Sequence, residues 1–357
     1  MLLAVGALLL LGLPRQGAAQ PSFRDMLLRS LGAYELGDYR TALESLSQAS
    51  QELHGKLKAA EGSSAATAGA RPYPIINAHE HVRAGMDVAR YIKLMDEFNI
   101  AKVVFLPTGE APNNQGYELH LEALLQASRS HPGRIIPFTT VDHHNPGALA
   151  SLQESVARGA VGLKLMAGHP YFYREPLDSP PLRDIYRFSS DRNLPVIIHA
   201  ELKWSARLYR EFQEVLRLFP NLRLILAHLG NLYHYPGGLR ELAGMLDRHP
   251  NLAVDVSMGQ GFPYYARSIH WNPTEVRQFF TTYQERIVWG SDQVIAQTTP
   301  TDHLRKVLSI ELALLERRAY TASMDGFPAE PVKGLHLPET VLRKILYDNP
   351  TRLFNLQ

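Results

Sequence analysis

Four histidines and an aspartate stand at the ends of short apolar segments in this sequence of 357 residues. His79 and His81 follow the first of these segments, His199 and His228 follow later ones, and Asp292 follows the last. Imidazole nitrogens and carboxylate oxygens bind zinc and related divalent ions. The set of His79, His81, His199 and Asp292 could therefore hold one such ion and leave a position for water, which is the arrangement that metal-assisted hydrolysis needs.

The overall composition excludes several other chemistries. The sequence contains no cysteine, so disulfides, thiolate metal sites and cysteine nucleophiles are excluded. Any metal must be held by histidine, carboxylate, carbonyl or water ligands. The net charge is +2 with both signs interspersed, which gives no basic surface for nucleic acid or anionic lipid. We therefore expect a small-molecule substrate.

The apolar segments have the length and composition of parallel strands that are covered on both faces. Eight of them are spaced along the chain, at residues 75–78, 103–106, 135–141, 161–165, 196–198, 222–227, 252–256 and 287–289. Amphipathic helix patterns lie between them, and successive strand units end 24 to 35 residues apart. This repeat predicts a (β/α)8 TIM barrel, an α/β fold. A doubly wound open sheet would usually begin with a glycine-rich turn, and the sequence has none there.

In a barrel the carboxyl ends of the strands meet at one mouth, so the four histidines and the aspartate are expected to lie close together. His79 and His81 are two residues apart on the first strand, so both imidazoles should point to the same face, toward the barrel interior. His199 comes from the fifth strand, His228 from the sixth and Asp292 from the eighth. A single metal site at this mouth is the expected result.

The amino-terminal part of the chain is predicted to lie outside the barrel. Residues 1–19 have the apolar run and the small-residue site of a secretory signal peptide, which predicts a periplasmic or secreted protein. The run is about 12 residues long and a spanning helix needs about 20, so no spanning segment is expected; an uncleaved anchor and a buried helix are the alternatives. Residues 61–71 are rich in Ala, Gly and Ser and predict a linker to the barrel at 72–357.

Residues 20–60 are predicted to form a short helical segment before the barrel. The stretch YELGDYRTA at 34–42 looks like the middle of a tetratricopeptide repeat (TPR). Only one such unit is visible, and a lone repeat cannot bury its own apolar face. We therefore predict that these helices pack on the main domain, with binding of a protein partner as the alternative.

Five sequence motifs resemble those of the amidohydrolase superfamily. They are INAHEH at 76–81, VIIHA at 196–200, LAHLG at 226–230, WGSD at 289–292 and LYDNPTRLF at 346–354. Within the superfamily, the chain resembles the amidohydrolase-related branch (amidohydrolase 2), which also contains aromatic-acid decarboxylases. The resemblance covers essentially all of residues 73–357. A lone His-x-His motif is weak evidence, but motifs in this order at these strand ends are a specific signal.

The resemblance implies a role for each of the five residues. His79, His81 and His199 match the metal-binding imidazoles. Asp292 matches the carboxylate that approaches the metal and takes a proton from water. His228 matches a catalytic histidine that polarises the scissile group or assists proton transfer. The implied cofactor is one divalent metal ion, with Zn²⁺ first and Mn²⁺ or Fe²⁺ as alternatives.

Four further residues are predicted to contact the substrate: Lys164, His169, Tyr171 and Asn231. Lys164 ends the fourth strand, where some members of the superfamily carry a carboxylated lysine that bridges two metals. We predict one metal with Lys164 near the substrate, because an ionised amine has no lone pair for a metal. A binuclear site is the alternative. The family often has aspartate at the position of Asn77, and this departure is expected to alter the support of the ligands.

Other polar residues follow the predicted strand ends and could line the mouth, although ordinary loop polarity explains them equally well. They are Asp142, His143, His144, Glu201, Lys203 and His234.

The predicted function is metal-dependent hydrolysis of a carbon–oxygen or carbon–nitrogen bond in a small molecule, such as an ester, lactone or amide. One alternative is non-oxidative decarboxylation of an aromatic or enoic acid on the same scaffold. A second alternative is a binding protein in which the barrel is a non-catalytic scaffold. The motifs are compatible with all three, and loop residues, which set specificity in this fold, decide among substrates.

Overall fold

The computed structural model describes most of the barrel region and little of the chain before it. The described residues are 71–110, 114–258, 272–321 and 331–356, with scattered positions between 33 and 48. The predicted signal peptide, residues 61–70 of the predicted linker and most of the predicted helical segment lie outside them. Contacts divide the chain into two units, Met1–Ala70 and Arg71–Gln357. Within the first unit, residues 40–42, 44–45 and 47–48 are helical.

Within the second unit, eight parallel strands alternate with helices along the described chain. The strands are β1 (Ile75–Val82), β2 (Ile100–Pro107), β3 (Ile135–Pro137), β4 (Leu163–Gly168), β5 (Val196–Ala200), β6 (Leu224–Leu226), β7 (Leu252–Val256) and β8 (Ile287–Trp289). The helices that follow them are α1 (Val88–Glu97), α2 (Tyr117–Ser130), α3 (Ala148–Ala157), α4 (Pro180–Asp191), α5 (Ala206–Leu218), α6 (Gly238–Arg248), α7 (Pro273–Thr282) and α8 (Thr301–Glu316).

The helices turn an apolar stripe toward the strands, as α5 illustrates. Leu208, Phe212 and Val215 recur at helical spacing and are buried. Ser205 precedes the helix, and its hydroxyl accepts a hydrogen bond from the Leu208 nitrogen (3.0 Å), which satisfies one of the free donors of the first turn. The apolar periodicity that predicted a helix here is therefore the face that packs on the barrel.

The strands close into a barrel. β4 to β8 form one ladder of parallel neighbours, and β3, β2, β1 and the short β9 (Val294–Ile295) form another. A parallel bridge between Thr139 and Leu163 joins the two ladders on one side. On the other side β8 meets β1, where the Asp292 nitrogen donates to the His79 carbonyl (2.8 Å). The (β/α)8 architecture predicted from the sequence is confirmed.

Small and branched side chains from alternate strand positions fill the barrel interior. They form one buried cluster, made of Ala78, Val104, Leu106, Ile136, Phe138, Ile197, Ile225, Ala227, Ala253 and Val288. The remaining strand positions face the helices in the larger apolar core. The interior is thus packed below the site.

The last residues of the chain cover the amino end of the barrel. They form α9 (Glu339–Arg343), a π-helical turn (Lys344–Asp348) and α10 (Asn349–Leu353). The Asn349 amide donates to the Ile287 carbonyl at the start of β8 (2.7 Å). The Phe354 ring meets Phe138 edge to face, with 5.4 Å between ring centroids. With this end closed, the carboxyl end of the strands is the open mouth.

Some predicted strand bounds differ from the observed ones for a physical reason. β6 is shorter than the predicted 222–227, because a 3₁₀ turn (Ala227–His234) leaves the ladder at once. β1 is longer than predicted and includes both His79 and His81. A hairpin of β10 (Ala319–Thr321) and β11 (Pro331–Lys333) follows α8. None of the described helices is both long enough and apolar enough to cross a membrane.

Candidate metal centre

Three of the four predicted metal ligands converge at the carboxyl end of the barrel. The Nε2 atoms of His79 and His81 lie 3.3 Å apart. Each of these nitrogens also lies 3.3 Å from Oδ1 of Asp292. Because β1 and β8 are neighbours in the closed barrel, residues more than 200 positions apart in sequence reach the same point.

The backbone around these ligands departs from regular strand geometry. The register of β1 against β2 shifts between Asn77 and Glu80, and Asp292 has a φ of +50°, in the left-handed region. Asn77 bridges the two strands, because its Oδ1 accepts hydrogen bonds from the nitrogens of His79 (3.3 Å) and Ser291 (3.1 Å). Asparagine at this position therefore supports the ligands by joining the strands that carry them.

Hydrogen bonds on the far side of each imidazole decide which nitrogen carries the proton. Nδ1 of His79 lies 2.8 Å from Oδ2 of Asp255. An ionised carboxylate only accepts, so Nδ1 carries the hydrogen and Nε2 keeps its lone pair. Nδ1 of His81 lies 2.5 Å from the hydroxyl of Thr108, which can accept a hydrogen in the same way. Both Nε2 lone pairs then face Asp292, an arrangement that suits a cation.

The charge states of the buried groups agree with this assignment. Burial raises the pKa of Asp255, but its electrostatic interaction and hydrogen bond with His79 outweigh this effect and hold that pKa below 3.8. Burial likewise opposes ionisation of Asp292, and the neighbouring imidazoles, His228 first, hold its pKa well below 3.8. Burial lowers the pKa of His79 to about 4, and the charge of Lys164 acts in the same direction. At neutral pH the carboxylates are ionised and His79 is neutral, as metal binding requires.

His199 lies beside this group with one nitrogen uncommitted. Its Nε2 is buried and has no hydrogen-bond partner among the described residues. Its ring packs on those of His228 and His169, with centroids 4.6 and 4.4 Å away. The same Nε2 is 3.6 Å from Oε1 of Glu201. Burial lowers the pKa of His199 well below 6.5, so the ring is neutral and offers a lone pair. A buried nitrogen of this kind is a suitable metal donor.

His228 reaches the centre from a strained turn. Residues 228–231 have φ values between +53° and +62°, a left-handed conformation that costs about 1–2 kcal/mol for each L-residue. The turn is tied to β7, because Oδ1 of Asp255 accepts a hydrogen bond from the His228 nitrogen (2.9 Å). Nδ1 of His228 lies 2.7 Å from the carbonyl oxygen of Ser257, and its Nε2 lies 3.9 Å from Oδ2 of Asp292. The strain therefore serves to direct Nε2 into the centre.

Two groups of three donors in the centre are each close enough to share an ion. One group is His79, His228 and Asp292, and the other is His169, His199 and Glu201, with ligand atoms within 4.8 Å of one another inside each group. Imidazole nitrogens and carboxylate oxygens are a set that zinc accepts. The centre thus fits a divalent ion. The particular ligand set of His79, His81, His199 and Asp292 stays a prediction.

The four predicted substrate contacts have different surroundings. Lys164 is fully buried with its Nζ 2.8 Å from Nε2 of His79, and burial lowers its pKa to about 8. His169 packs among the rings of the centre, and Tyr171 is 70% exposed. Of the four, Asn231 is the one that lines the cavity at the centre.

A cavity of about 960 Å³ reaches the centre, and His199, His228 and Asp292 form part of its wall. Further wall residues include Arg83, Glu201, Asn231, Tyr233, His234 and His303. The volume is ample for a small organic molecule. Polar and cationic groups on the wall offer ways to orient such a molecule.

The mouth residues were only partly foreseeable from the sequence. Glu201 and His234 follow strand ends in the sequence, and both line the cavity. Lys203 also follows β5, but its Nζ pairs with Glu241 (2.6 Å) instead. His303 belongs to α8 and was not anticipated, because no strand-end rule points to a helix residue.

Asp255 is the functional residue that sequence reasoning missed. It is fully buried in β7, and its carboxylate accepts hydrogen bonds from the Ser257 hydroxyl (2.5 Å) and nitrogen (3.2 Å) besides those of His79 and His228. The signal was available, because a carboxylate in the apolar segment LAVDV sits at an inward-facing position. A charge buried inside a strand must be paired, and here it orients two histidines of the centre.

A second buried carboxyl group, that of Glu80, braces the segment that carries Asp292. It accepts hydrogen bonds from the Tyr91 hydroxyl (2.8 Å), the Ser291 hydroxyl (2.5 Å) and the Gln293 nitrogen (3.1 Å). Burial raises its pKa to about 8. These bonds join β1 to residues 291–293 and so fix the distance between the histidines and Asp292.

The close approach of β8 to β1 depends on glycine at position 290. A Cβ there would lie 2.4 Å from the Cβ of His79 and 2.5 Å from its nitrogen. We expect Gly290→Ala to lower the free energy of unfolding by about 1–3 kcal/mol through overpacking. It should also weaken metal binding, because His79 must move. Urea unfolding and a metal titration would measure the two effects.

Gly244→Ala in α6 is the matched control for this substitution. The added methyl group would meet only the far end of the Arg248 side chain (3.2 Å). Alanine in a helix interior is favoured over glycine by about 0.5–1 kcal/mol, so this variant should be unchanged or more stable. Equal stability and equal metal affinity in the two variants would show that the contact at residue 290 is unimportant.

Comparison with known proteins agrees with this architecture. A family model described as amidohydrolase matches residues 84–356. Among solved structures, a probable 2-pyrone-4,6-dicarboxylic acid hydrolase from Acinetobacter baumannii with citric acid bound is 17% identical, with a TM-score of 0.52; the match covers 79% of this chain and 100% of that chain. None of the curated proteins that were compared matches the chain.

Two further structures share the barrel. An uncharacterized TIM-barrel protein from Bordetella bronchiseptica is 15% identical, with a TM-score of 0.52, over 80% of this chain and 99% of that chain. An amidohydrolase from Burkholderia multivorans with bound zinc is 13% identical, with a TM-score of 0.51, over 80% of this chain and 100% of that chain. At these identities the likeness establishes a common fold.

Proposed function

We propose that this chain, which belongs to the amidohydrolase family, hydrolyses a carbon–oxygen or carbon–nitrogen bond of a small molecule with the help of one divalent ion. The observation that carries the proposal is the convergence of the Nε2 atoms of His79 and His81 on Oδ1 of Asp292, at 3.3 Å each. Asp292 also lines a cavity large enough for a small organic substrate.

The ligands that we propose are His79, His81, His199 and Asp292. Three imidazoles and a carboxylate suit zinc first, with manganese and iron as alternatives. When bound, the ion would act as a Lewis acid that polarises the substrate and makes a nearby water more acidic. We propose a single ion because an ionised Lys164, with its Nζ 2.8 Å from Nε2 of His79, has no lone pair to offer a second metal.

Asp292 is the proposed general base. Its carboxylate is ionised at neutral pH because the neighbouring imidazoles outweigh the effect of burial on its pKa. One oxygen faces the histidines of β1 and the other faces His228. Asp292 can therefore accept a proton from the attacking water and return it to the leaving group, a transfer that contributes about 10²–10⁴-fold to rate in other enzymes.

His228 is proposed to act on the opposite side of the reacting bond. The carbonyl oxygen of Ser257 only accepts, so the hydrogen of the neutral ring is on Nδ1 and the lone pair is on Nε2. With a proton taken from solvent on that nitrogen, the imidazolium would donate a hydrogen bond to the oxygen on which negative charge develops.

A lactone or ester that carries carboxylate groups is the substrate class that we propose. The cavity wall includes Arg83 and two histidines, His234 and His303, which can bind carboxylates. The similar Acinetobacter baumannii structure is described as a hydrolase of a pyrone dicarboxylic acid and contains citric acid. A 2-pyrone is a cyclic ester, so that reaction type agrees with the proposed chemistry.

Non-oxidative decarboxylation is the second candidate, and the position of Lys164 favours it. The amine is buried 2.8 Å from Nε2 of His79, so a cation can stand beside the proposed metal. A substrate carboxylate held between two cations is what a decarboxylase would need. Hydrolysis remains our first proposal because Asp292 is ionised and reaches the cavity wall, where it can meet water.

Elemental analysis combined with His199→Ala tests the proposed function. Loss of one imidazole ligand should reduce the bound metal by about one equivalent and abolish hydrolysis in a screen of lactones, esters and amides. His249→Ala is the control, because this half-buried histidine lies before β7 at the other end of the barrel. It should change neither the metal content nor the turnover.

The outcomes separate the alternatives. Unchanged metal content and turnover in His199→Ala would refute the proposed centre. Release of CO₂ from aromatic acids, with no hydrolysis of any lactone, ester or amide, would favour decarboxylation. Metal binding without turnover of any of these compounds would favour the non-catalytic scaffold.

A further inference from the structure

The loops after β3 and β4 bring together two histidines and a glutamate outside the centre described above. The Nδ1 of His144 lies 3.4 Å from Oε1 of Glu175. The ring of His143 packs on that of His144, with 4.0 Å between centroids. One ligand atom from each of the three residues lies within 4.8 Å of the other two. None of them belongs to the proposed catalytic set.

His143 is the unusual member of this cluster. Its side chain is buried, with 2% of the residue exposed, and neither ring nitrogen has a hydrogen-bond partner among the described residues. A buried polar group without a partner destabilises the fold, because it has given up its hydrogen bonds to water and formed none in return. Burial and the neighbouring His144 lower the pKa of His143 to about 3. The ring is therefore neutral at physiological pH and carries a lone pair that no described residue uses.

The orientation of His144 is set by the backbone around it. Its Nε2 lies 3.0 Å from the carbonyl oxygen of Phe172, which can only accept, so the neutral ring carries its hydrogen there. The lone pair is then on Nδ1, which faces Glu175. Oδ1 of Asp142 accepts a hydrogen bond from the His144 nitrogen (3.1 Å) and holds the turn that presents both histidines.

We propose that His143, His144 and Glu175 form a second site for a divalent cation of the zinc type. Two imidazole nitrogens and a carboxylate oxygen are a common zinc ligand set, with water in the fourth position. Bond lengths of about 2.0–2.2 Å would place the ligand atoms roughly 3.4 Å apart. The three side chains need to move together by only about 1 Å from their observed positions.

The site would fasten two loops at the mouth of the barrel. His143 and His144 follow β3, whereas Glu175 follows β4. The loop after β4 also contains His169, whose carbonyl accepts a hydrogen bond from the Phe172 nitrogen (2.9 Å). The His169 ring in turn packs on His199. A cation at this site would therefore stabilise the loop that supports the proposed catalytic centre, a role that does not depend on which reaction the enzyme performs.

The substitution Glu175→Gln keeps the size of the side chain but removes its charge, and zinc content after equilibrium dialysis would show its effect. The variant should bind about one equivalent of zinc less than the wild type and keep the ion of the catalytic centre, which His199→Ala loses. The double variant should lose both ions. Glu154→Gln, a carboxylate on α3 whose side chain is 71% exposed, is the control and should bind as the wild type does. Zinc content of Glu175→Gln equal to that of the wild type would overturn the proposal.

His143→Leu gives an independent measure that does not depend on turnover. It replaces the unpartnered ring with an apolar side chain of similar volume, so the metal-free variant should be at least as stable as the metal-free wild type. Zinc should raise the Tm of the wild type by a larger amount than that of the variant, because the variant lacks one of the two sites. An equal zinc-dependent rise in both proteins would overturn the site, even if the catalytic centre binds metal as proposed.

Discussion

Asp292→Asn is expected to reduce kcat by about 10²–10⁴-fold, the usual contribution of a positioned general base. Asparagine keeps an oxygen at the position that faces His79 and His81 but cannot accept a proton. It also tolerates the left-handed φ of +50° at this residue better than most side chains do, so the variant should fold. Steady-state kinetics of the metal-loaded protein would measure the loss.

The metal content of Asp292→Asn must be determined in the same preparation, because Asp292 is also a proposed ligand. Loss of turnover in a protein that still contains metal assigns the effect to proton transfer. Asp302→Asn serves as the matched control, since that side chain lies on α8 and is 95% exposed. Retention of wild-type kcat in Asp292→Asn would rule out the proposed base.

Asp255→Asn is expected to weaken metal binding and to destabilise the fold, because Asp255 orients two histidines of the centre. One carboxylate oxygen accepts from Nδ1 of His79 (2.8 Å), and the other accepts from the His228 nitrogen (2.9 Å) and from Ser257. Every partner is a donor, so both oxygens are needed. An asparagine amide must turn its NH₂ group toward one of these donors, whichever way it is placed.

Either orientation of that amide damages the centre. If the NH₂ faces His79, the ring must give up its Nδ1 hydrogen, and the proton moves to Nε2, where it blocks the proposed ligand atom. If the NH₂ faces the other side, the buried His228 nitrogen and the Ser257 groups lose their acceptor, which costs about 1–3 kcal/mol. We therefore expect metal affinity to fall about 10–100-fold and the free energy of unfolding to fall with it.

Chelator competition and urea unfolding would measure these two effects of Asp255→Asn. Asp247→Asn is a suitable control, because Asp247 is an exposed residue whose carboxylate accepts a hydrogen bond from the Tyr283 hydroxyl (2.9 Å). Because the pKa of Asp255 is held below 3.8 in the folded protein, its stabilisation is present at neutral pH and is lost as the pH falls below that value. Wild-type metal affinity in Asp255→Asn would show that His79 does not need this partner.

The sequence alone determined the architecture and the residues that meet at the mouth. Short, almost entirely apolar segments at regular spacing predict parallel strands that are covered on both faces, and eight such units predict a closed barrel. In that fold every strand end faces the same mouth. The residue type at each strand end, together with the two-residue spacing of His79 and His81, was therefore enough to predict that His79, His81 and Asp292 would come together.

Only the tertiary structure decided how those residues are held and what surrounds them. The pairing of Asp255 with His79 joins β7 to β1, and the cluster of His143, His144 and Glu175 joins two loops. His303 reaches the cavity from a helix. Sequence periodicity reports the face on which a residue lies within its own element. It does not report which side chain of another element lies opposite, because that depends on barrel closure, on register shifts such as the one in β1 and on left-handed turns such as 228–231.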